Sequence, residues 1–324
     1  MPRALALVML MSGLAAAEPD AAPVSPPELQ TAKVAADHED KHPVASVAIV
    51  GGMYLTFSSW AYAAWYAKHK PLGYFKWGGD GWLGDRTYAG GADKFGHAWA
   101  TMSLARAGTL LLSDYGGYDK QKSAIVSSAL AESLFFFVEV KDGFFYEFSF
   151  SDLTGDTAGA VAALLLDSFP RLDEMFDYRV QYFPSREYLD NVSGGNGYNR
   201  LNIAEDYSGE TYLLAYHLGS ISALRQWDPW PRFVDVALGF ETRGYKPTPP
   251  AGYPPNDHRQ NVFIGVSFNA QGFFDWLFTR QSTAHPRVRK ITHGLFEIFN
   301  LPYTSTYLIE DSRTPTGQVM TGGA

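Results

Sequence analysis

From Pro43 to Tyr66 the chain runs 24 residues without a charged side chain (PVASVAIVGGMYLTFSSWAYAAWY). A helix of that length can cross a bilayer or form the buried centre of a bundle. Gly51-Gly52 and several hydroxyls keep both arrangements open. Three further apolar segments follow, from about Asp93 to Ser113, Lys120 to Val140 and Asp152 to Phe169. Each carries ionisable residues at its start or along one face. Helices that are apolar all round are buried or lipid-facing, so the few charges within them are the informative ones.

After Pro170 the period changes from helix to strand. Val234, Val236, Leu238 and Phe240 alternate with Asp235, Ala237, Gly239 and Glu241, and Val262, Ile264, Val266 and Phe268 repeat the pattern. Period two means half-buried strands. A proline-rich loop (Lys246 to Pro255) separates these two. Tyr198 to Ala204 and Glu210 to Ser220 read as a second pair, turned at Asp206–Gly209. Four or five strands are too few for a complete outer-membrane barrel, which needs eight. The expected fold class is therefore α+β: an apolar bundle of about four helices over 43–169, then an antiparallel sheet region with long loops over 170–310. Residues 311–324 read as a disordered tail.

Arg3, the apolar run Ala4 to Leu14 and Ala15-Ala16-Ala17 have the order of a signal peptide, which sets 1–17 apart. Residues 18–42, rich in Ala, Pro and charge, read as a flexible leader. The expected location is an exported one, in the periplasm or cell-envelope membrane of a bacterium. Composition agrees: of 324 residues 15% are aromatic and 19% charged, and none is cysteine. Without cysteine there is no disulfide framework, thiol nucleophile, Cys-ligated metal or lipidated N-terminal Cys. The net charge of −8 gives no nucleic-acid footprint. Membrane lipid is the expected partner, and no protein partner is specified.

The polar residues of the apolar helices form a pattern. Asp93, His97 and Thr101 recur at steps of four, on one helix face. Glu132 and Glu139 share a face of the next helix, which Asp142-Gly143 closes. Asp152, Asp156, Gly159 and Ala163 form a stripe on the third, where Gly155 and Gly159 allow close helix approach. His97, Glu139, Asp142, Asp152 and Asp156 are thus candidates for acid–base chemistry. Asp93, His97, Glu139 and Asp156 are candidates for holding a divalent metal through oxygen-rich ligation. Local roles compete: Asp93 as a helix N-cap, Ser149-x-x-Asp152 as a capping box and Asp142-Gly143 as a turn. No cofactor is specified beyond that metal, and no GxSxG, P-loop or helix-opening GxGxxG is present.

ADKFGHAWATMSLARAG followed by VEVKDGFFYEFSFSDLTGDTAGA resembles the YfiM-like family of periplasmic proteins and, more distantly, the VanZ-like membrane proteins. The shared pattern falls on Asp93, Lys94, Gly96 and His97, then Glu139, Asp142 and Gly143, then Phe148, Ser149, Asp152, Asp156 and Gly159. It covers about Tyr88 to Leu166, with Glu147 where the family usually has Gly. Many relatives are lipoproteins, and this chain lacks the cysteine that requires. The resemblance implies an envelope location and a helical core, and no reaction. The leading expectation is a non-enzymatic, membrane-associated protein whose polar residues lock helix packing. The alternatives are a metal-dependent hydrolase acting on a lipid or cell-wall precursor, and a lipid- or glycan-binding module using the aromatic loop Pro71 to Gly91.

Overall fold

A computed structural model describes residues 40–79, 81–194, 198–250, 257–280 and 284–314. The signal peptide, nearly all of the leader, much of the proline-rich loop and residues 315–324 lie outside the described residues.

Among the described residues, four long helices form the N-terminal half, in accord with the expected bundle. Helix α1 (Pro43–Ala61) opens on a proline and extends through a wider turn at Tyr62–Tyr66. Helix α2 (Ala92–Leu110) is prolonged likewise at Leu111–Tyr115. Helix α3 is Lys120–Phe145 and α4 is Phe150–Ser168. The expected cap at Ser149 forms, accepting from the Asp152 amide at 3.2 Å, and Asp119 caps α3 by accepting from the Lys122 amide at 2.9 Å. Tyr54 donates to the Ser127 carbonyl and Tyr66 to Asp142, so α1 runs parallel to α3. Thr157 meets Glu132 and Gln121 meets Ser168, so α4 runs antiparallel to α3. A two-residue parallel pairing, β1 (Trp77–Gly78) with β2 (Phe148–Ser149), ties the aromatic loop to the start of α4.

The Gly155/Gly159 spacing does what its small residues permit. A Cβ on Gly159 would stand 2.1 Å from the Ala98 carbonyl oxygen, and one on Gly155 2.6 Å from that of Lys94. We expect Gly159→Ala to destabilise the fold by about 1–3 kcal/mol despite alanine's better helix propensity, because backbone, not a movable side chain, opposes the methyl. Thermal unfolding of the variant checks this.

The second half is a six-stranded sheet in the order β7-β3-β4-β5-β6-β8. Its strands are β3 (Phe176–Tyr182), β4 (Glu210–His217), β5 (Val234–Arg243), β6 (Arg259–Phe268), β7 (Phe299–Asn300) and β8 (Ser305–Arg313). All pairings are antiparallel except β3 with β7. Short helices α5 (Pro170–Asp173), α6 (Arg186–Ser193), α7 (Ala270–Thr279) and α8 (Pro286–Ile298) connect them. Three expectations need correction. Residues 198–204 form turns and the beginning of a one-turn helix (Ile203–Glu205), so the partners of β4 are β3 and β5. Helix α3 runs past Asp142-Gly143, and Gly143 serves contact with the Phe75 ring, which a Cβ would meet at 2.3 Å. Strand β8 extends to Arg313, inside the segment read as tail.

The polarity of the sheet is inverted. Asp235, Ala237, Gly239 and Glu241 are buried, whereas Val236 and Leu238 on the alternate side are exposed. Register extends both faces across the sheet: Leu214, Leu238, Ile264 and Ile309 are successive neighbours on the apolar side. The sheet curls to do this. Ser305 of β8 bonds to Gln181 of β3 at 2.9 Å, and Asn300 of β7 to Ser267 of β6 at 2.8 Å, joining strands from opposite margins. One end of the apolar face is covered by α2, where Phe95 stacks on Phe240 and Tyr212. The rest stays open, with Leu238 51% and Ile309 68% exposed.

Candidate functional site

The helix directions bring the start of α2, the end of α3 and the start of α4 to one end of the bundle. All six residues expected to cluster meet there. Asp156, fully buried on α4, takes His97 Nδ1 at 3.0 Å and the Thr101 hydroxyl at 2.9 Å on the same oxygen, Oδ1. Glu139 of α3 places Oε1 3.8 Å from His97 Nδ1 and accepts the Ser149 amide on Oε2 at 3.2 Å. Lys94, itself buried, bridges Asp93 at 2.5 Å and Asp152 at 2.9 Å. Asp142 accepts the Tyr66 hydroxyl at 2.6 Å, which brings in the end of α1.

Asp93 is not the cap of α2: Gly91, at φ +85°, holds that position, and Asp93 lies in the first turn. A positive φ is cheap only for glycine, which frees Asp93 to pair with Lys94. Asp152 keeps its expected place in the first turn of α4 behind the Ser149 cap. Glu132 sits outside the cluster, bonded to Thr157.

Burial sets the protonation pattern. It disfavours a charged His97, but Asp156, with Asp152 and Glu139 behind it, overrides this and holds the imidazole well above its ordinary pKa. At Asp152 burial is outweighed by His97 and Lys94, and the pKa falls. A protonated imidazole among carboxylates of unequal acidity can pass protons at neutral pH. One ligand atom each from His97, Glu139 and Asp156 also lies within 4.8 Å of the others, so the three can hold a metal ion. Asp93, Asp142 and Asp152 are engaged by Lys94 or Tyr66 instead.

A second buried ionic group was not expected. His217 bonds through Nδ1 to Asp235 at 2.7 Å and sets Nε2 3.1 Å from Asp177 as an ion pair. Arg179 bridges the same two carboxylates and donates to Gln271 at 2.9 Å. Burial opposes the charged imidazole, but the two aspartates raise its pKa to about 9. A folded pKa above the ordinary 6.5 stabilises the fold fully below about pH 6.5, and that contribution is lost as pH rises through 9. We expect the difference in unfolding free energy between wild type and His217→Gln to shrink by about 2–3 kcal/mol between pH 6 and pH 9.5. Denaturant titrations at the two pH values measure it. The signal in the sequence was the polar side of β5 and β3, which resembles an ordinary solvent face.

Residues 79–168, containing α2, α3 and α4 with the whole His/carboxylate cluster apart from Tyr66, match a family described as predicted periplasmic lipoprotein (DUF2279). No curated protein and no solved structure matches the chain. The exported, envelope location read from the sequence accords with the family description.

Proposed function

We propose that the chain is a non-enzymatic, membrane-associated protein of the cell envelope, in which the His/carboxylate cluster fastens one end of the helical bundle. The observation that carries this reading is apolar surface turned outward in both halves. Pro43–Tyr66 and Lys120–Phe145 are long and apolar enough to cross a membrane, and only 17% of the most apolar window of the first is buried. Leu55 on α1 is 69% exposed. The curled sheet adds its own open apolar face, with Trp227 and Trp230 exposed just before β5. Apolar patches of this extent on a water-soluble protein are uncommon, and interfacial tryptophans are typical of membrane contact. The resemblance to YfiM-like and VanZ-like sequences supports the same seating. Fractionation after expression tests it: the protein should stay in the membrane pellet through high-salt and alkaline washes. Recovery in the soluble fraction would defeat the proposal.

A second reading makes the cluster the centre of a metal-dependent hydrolase acting on a lipid or cell-wall precursor. It is favoured by the convergence of His97, Glu139 and Asp156, with His97 one-fifth exposed and so open to solvent. Hydrolysis of a lipid-linked precursor by wild type, abolished in Glu139→Gln, would establish it. Equal inactivity of both would leave the non-enzymatic account standing.

A further inference from the structure

We propose that His97, Glu139 and Asp156 form a resident site for one divalent transition-metal ion of the Mn2+ or Zn2+ class, which joins α2, α3 and α4. This goes beyond the membrane-seated reading and does not depend on it.

Three observations converge. The first is geometry. One ligand atom from each residue falls within 4.8 Å of the other two, with His97 Nδ1 at 3.0 Å from Asp156 and 3.8 Å from Glu139. Metal–ligand distances of about 2.0–2.2 Å place neighbouring ligand atoms about 3–3.5 Å apart. The site therefore closes on an ion by a contraction of at most about 1.5 Å.

The second is an orphaned acceptor. Asp156 Oδ2 is buried and has no hydrogen-bond partner among the described residues, although the carboxylate is fully enclosed. A buried carboxylate oxygen without a donor is costly, and a cation beside it removes that cost. Thr101 donates to the other oxygen, Oδ1, at 2.9 Å, so the side chain is held from behind while Oδ2 is left without a donor.

The third is charge. Asp93, Glu139, Asp142, Asp152 and Asp156 crowd one bundle end, where Lys94 pairs with Asp93 and Asp152, and His97 with Glu139 and Asp156. Lys141 lies over the Tyr62 and Tyr66 rings and reaches Asp142 through its field. Lys94 is committed to Asp93 and Asp152, which leaves Glu139 and Asp156 to share the imidazole. A divalent ion would balance both carboxylates and take His97 as a neutral nitrogen ligand. One imidazole with two carboxylates suits a borderline ion, whereas Ca2+ prefers six to eight oxygens. Ser149, whose amide holds Glu139 Oε2, would orient that ligand from outside the site.

The test uses the full chain purified in detergent. Elemental analysis should find close to one transition-metal ion per chain, either as purified or after incubation with Mn2+ or Zn2+. After chelation the unfolding midpoint should fall by several degrees and recover on adding Mn2+ or Zn2+, with Ca2+ ineffective. Glu139→Gln and Asp156→Asn should each weaken uptake at least tenfold, while Glu132→Gln, outside the cluster, binds as wild type does. If Asp156→Asn does not fold, Glu139→Gln and wild-type uptake decide. Absence of uptake and of any midpoint shift in wild type would overturn the proposal. So would stabilisation by Ca2+ equal to that by Mn2+ or Zn2+, or unchanged uptake in both cluster variants. None of these results bears on fractionation, so the site and the membrane seating fail separately.

Discussion

Asp156→Ala should lower the free energy of unfolding by about 3–5 kcal/mol, the scale on which removing one partner of a buried ion pair acts. Asp156 is fully buried and accepts from both His97 and Thr101. Deleting its carboxylate strands a buried hydroxyl and leaves His97 with Glu139 at 3.8 Å as its remaining close carboxylate. It also opens a void behind α4, at the helix contact where Gly159 lets the backbone approach α2. Equilibrium unfolding against denaturant measures the loss. Glu132→Gln, two turns along α3 from Glu139 and bonded to Thr157, should stay within about 0.5 kcal/mol of wild type. A loss below about 1 kcal/mol for Asp156→Ala would show that the cluster does not fasten the bundle.

Arg179→Met is expected to cost a similar amount, about 3–5 kcal/mol. The guanidinium is almost completely buried and donates separately to Asp177, Asp235 and Gln271. Without it the two buried carboxylates keep a single imidazole as close counter-ion, with the Asn269 amide on Asp235. Burial works against the charge on Asp177, but Arg179 above all holds its pKa down to about 2. The stability this carboxylate supplies is therefore present above about pH 4 and is lost as pH falls through 2. In Arg179→Met the acid limb of a stability–pH curve should move to higher pH. Arg179→Lys should recover only part of the loss, because an ammonium cannot reproduce the planar fork that reaches three partners at once. Denaturant unfolding between pH 3 and pH 7 resolves both effects.

Much of the candidate site was legible because it lies on helices. A step of four residues fixes which side chains share a face, so Asp93, His97 and Thr101 could be placed together without knowing the fold, as could Asp156 and Gly159. The register between helices was not legible, and it decides which carboxylate His97 meets. Asp156 takes the close contact, while Asp142 is drawn to Tyr66 on α1. The role of Gly91 was missed because a left-handed residue ahead of α2 has no sequence mark beyond glycine itself.

The sheet half was legible only as strands. Alternation shows that Asp235 and Val236 point to opposite sides, but period two has no direction: either face can be the inner one. The usual assignment of apolar side chains to the core fails here because curling encloses the polar face. Asp177, Arg179, His217 and Asp235 balance one another inside it, so their burial is affordable only as a set. Arg106 shows the same limit. It is buried between Asp167, Asp173 and Glu297, three partners from three different helices, and no local spacing connects them.

The outward apolar surface is the central claim, and the absence of native cysteine makes it directly measurable. A single Leu55→Cys substitution on α1 introduces the sole thiol, and Arg186→Cys on the exposed surface of α6 supplies the reference. Both are treated in isolated membranes with a charged, membrane-impermeant maleimide, before and after detergent is added. Lipid seating predicts that Arg186→Cys labels at once, while Leu55→Cys stays protected until detergent dissolves the bilayer. Leu55→Cys labelling as fast as Arg186→Cys in intact membranes would contradict it.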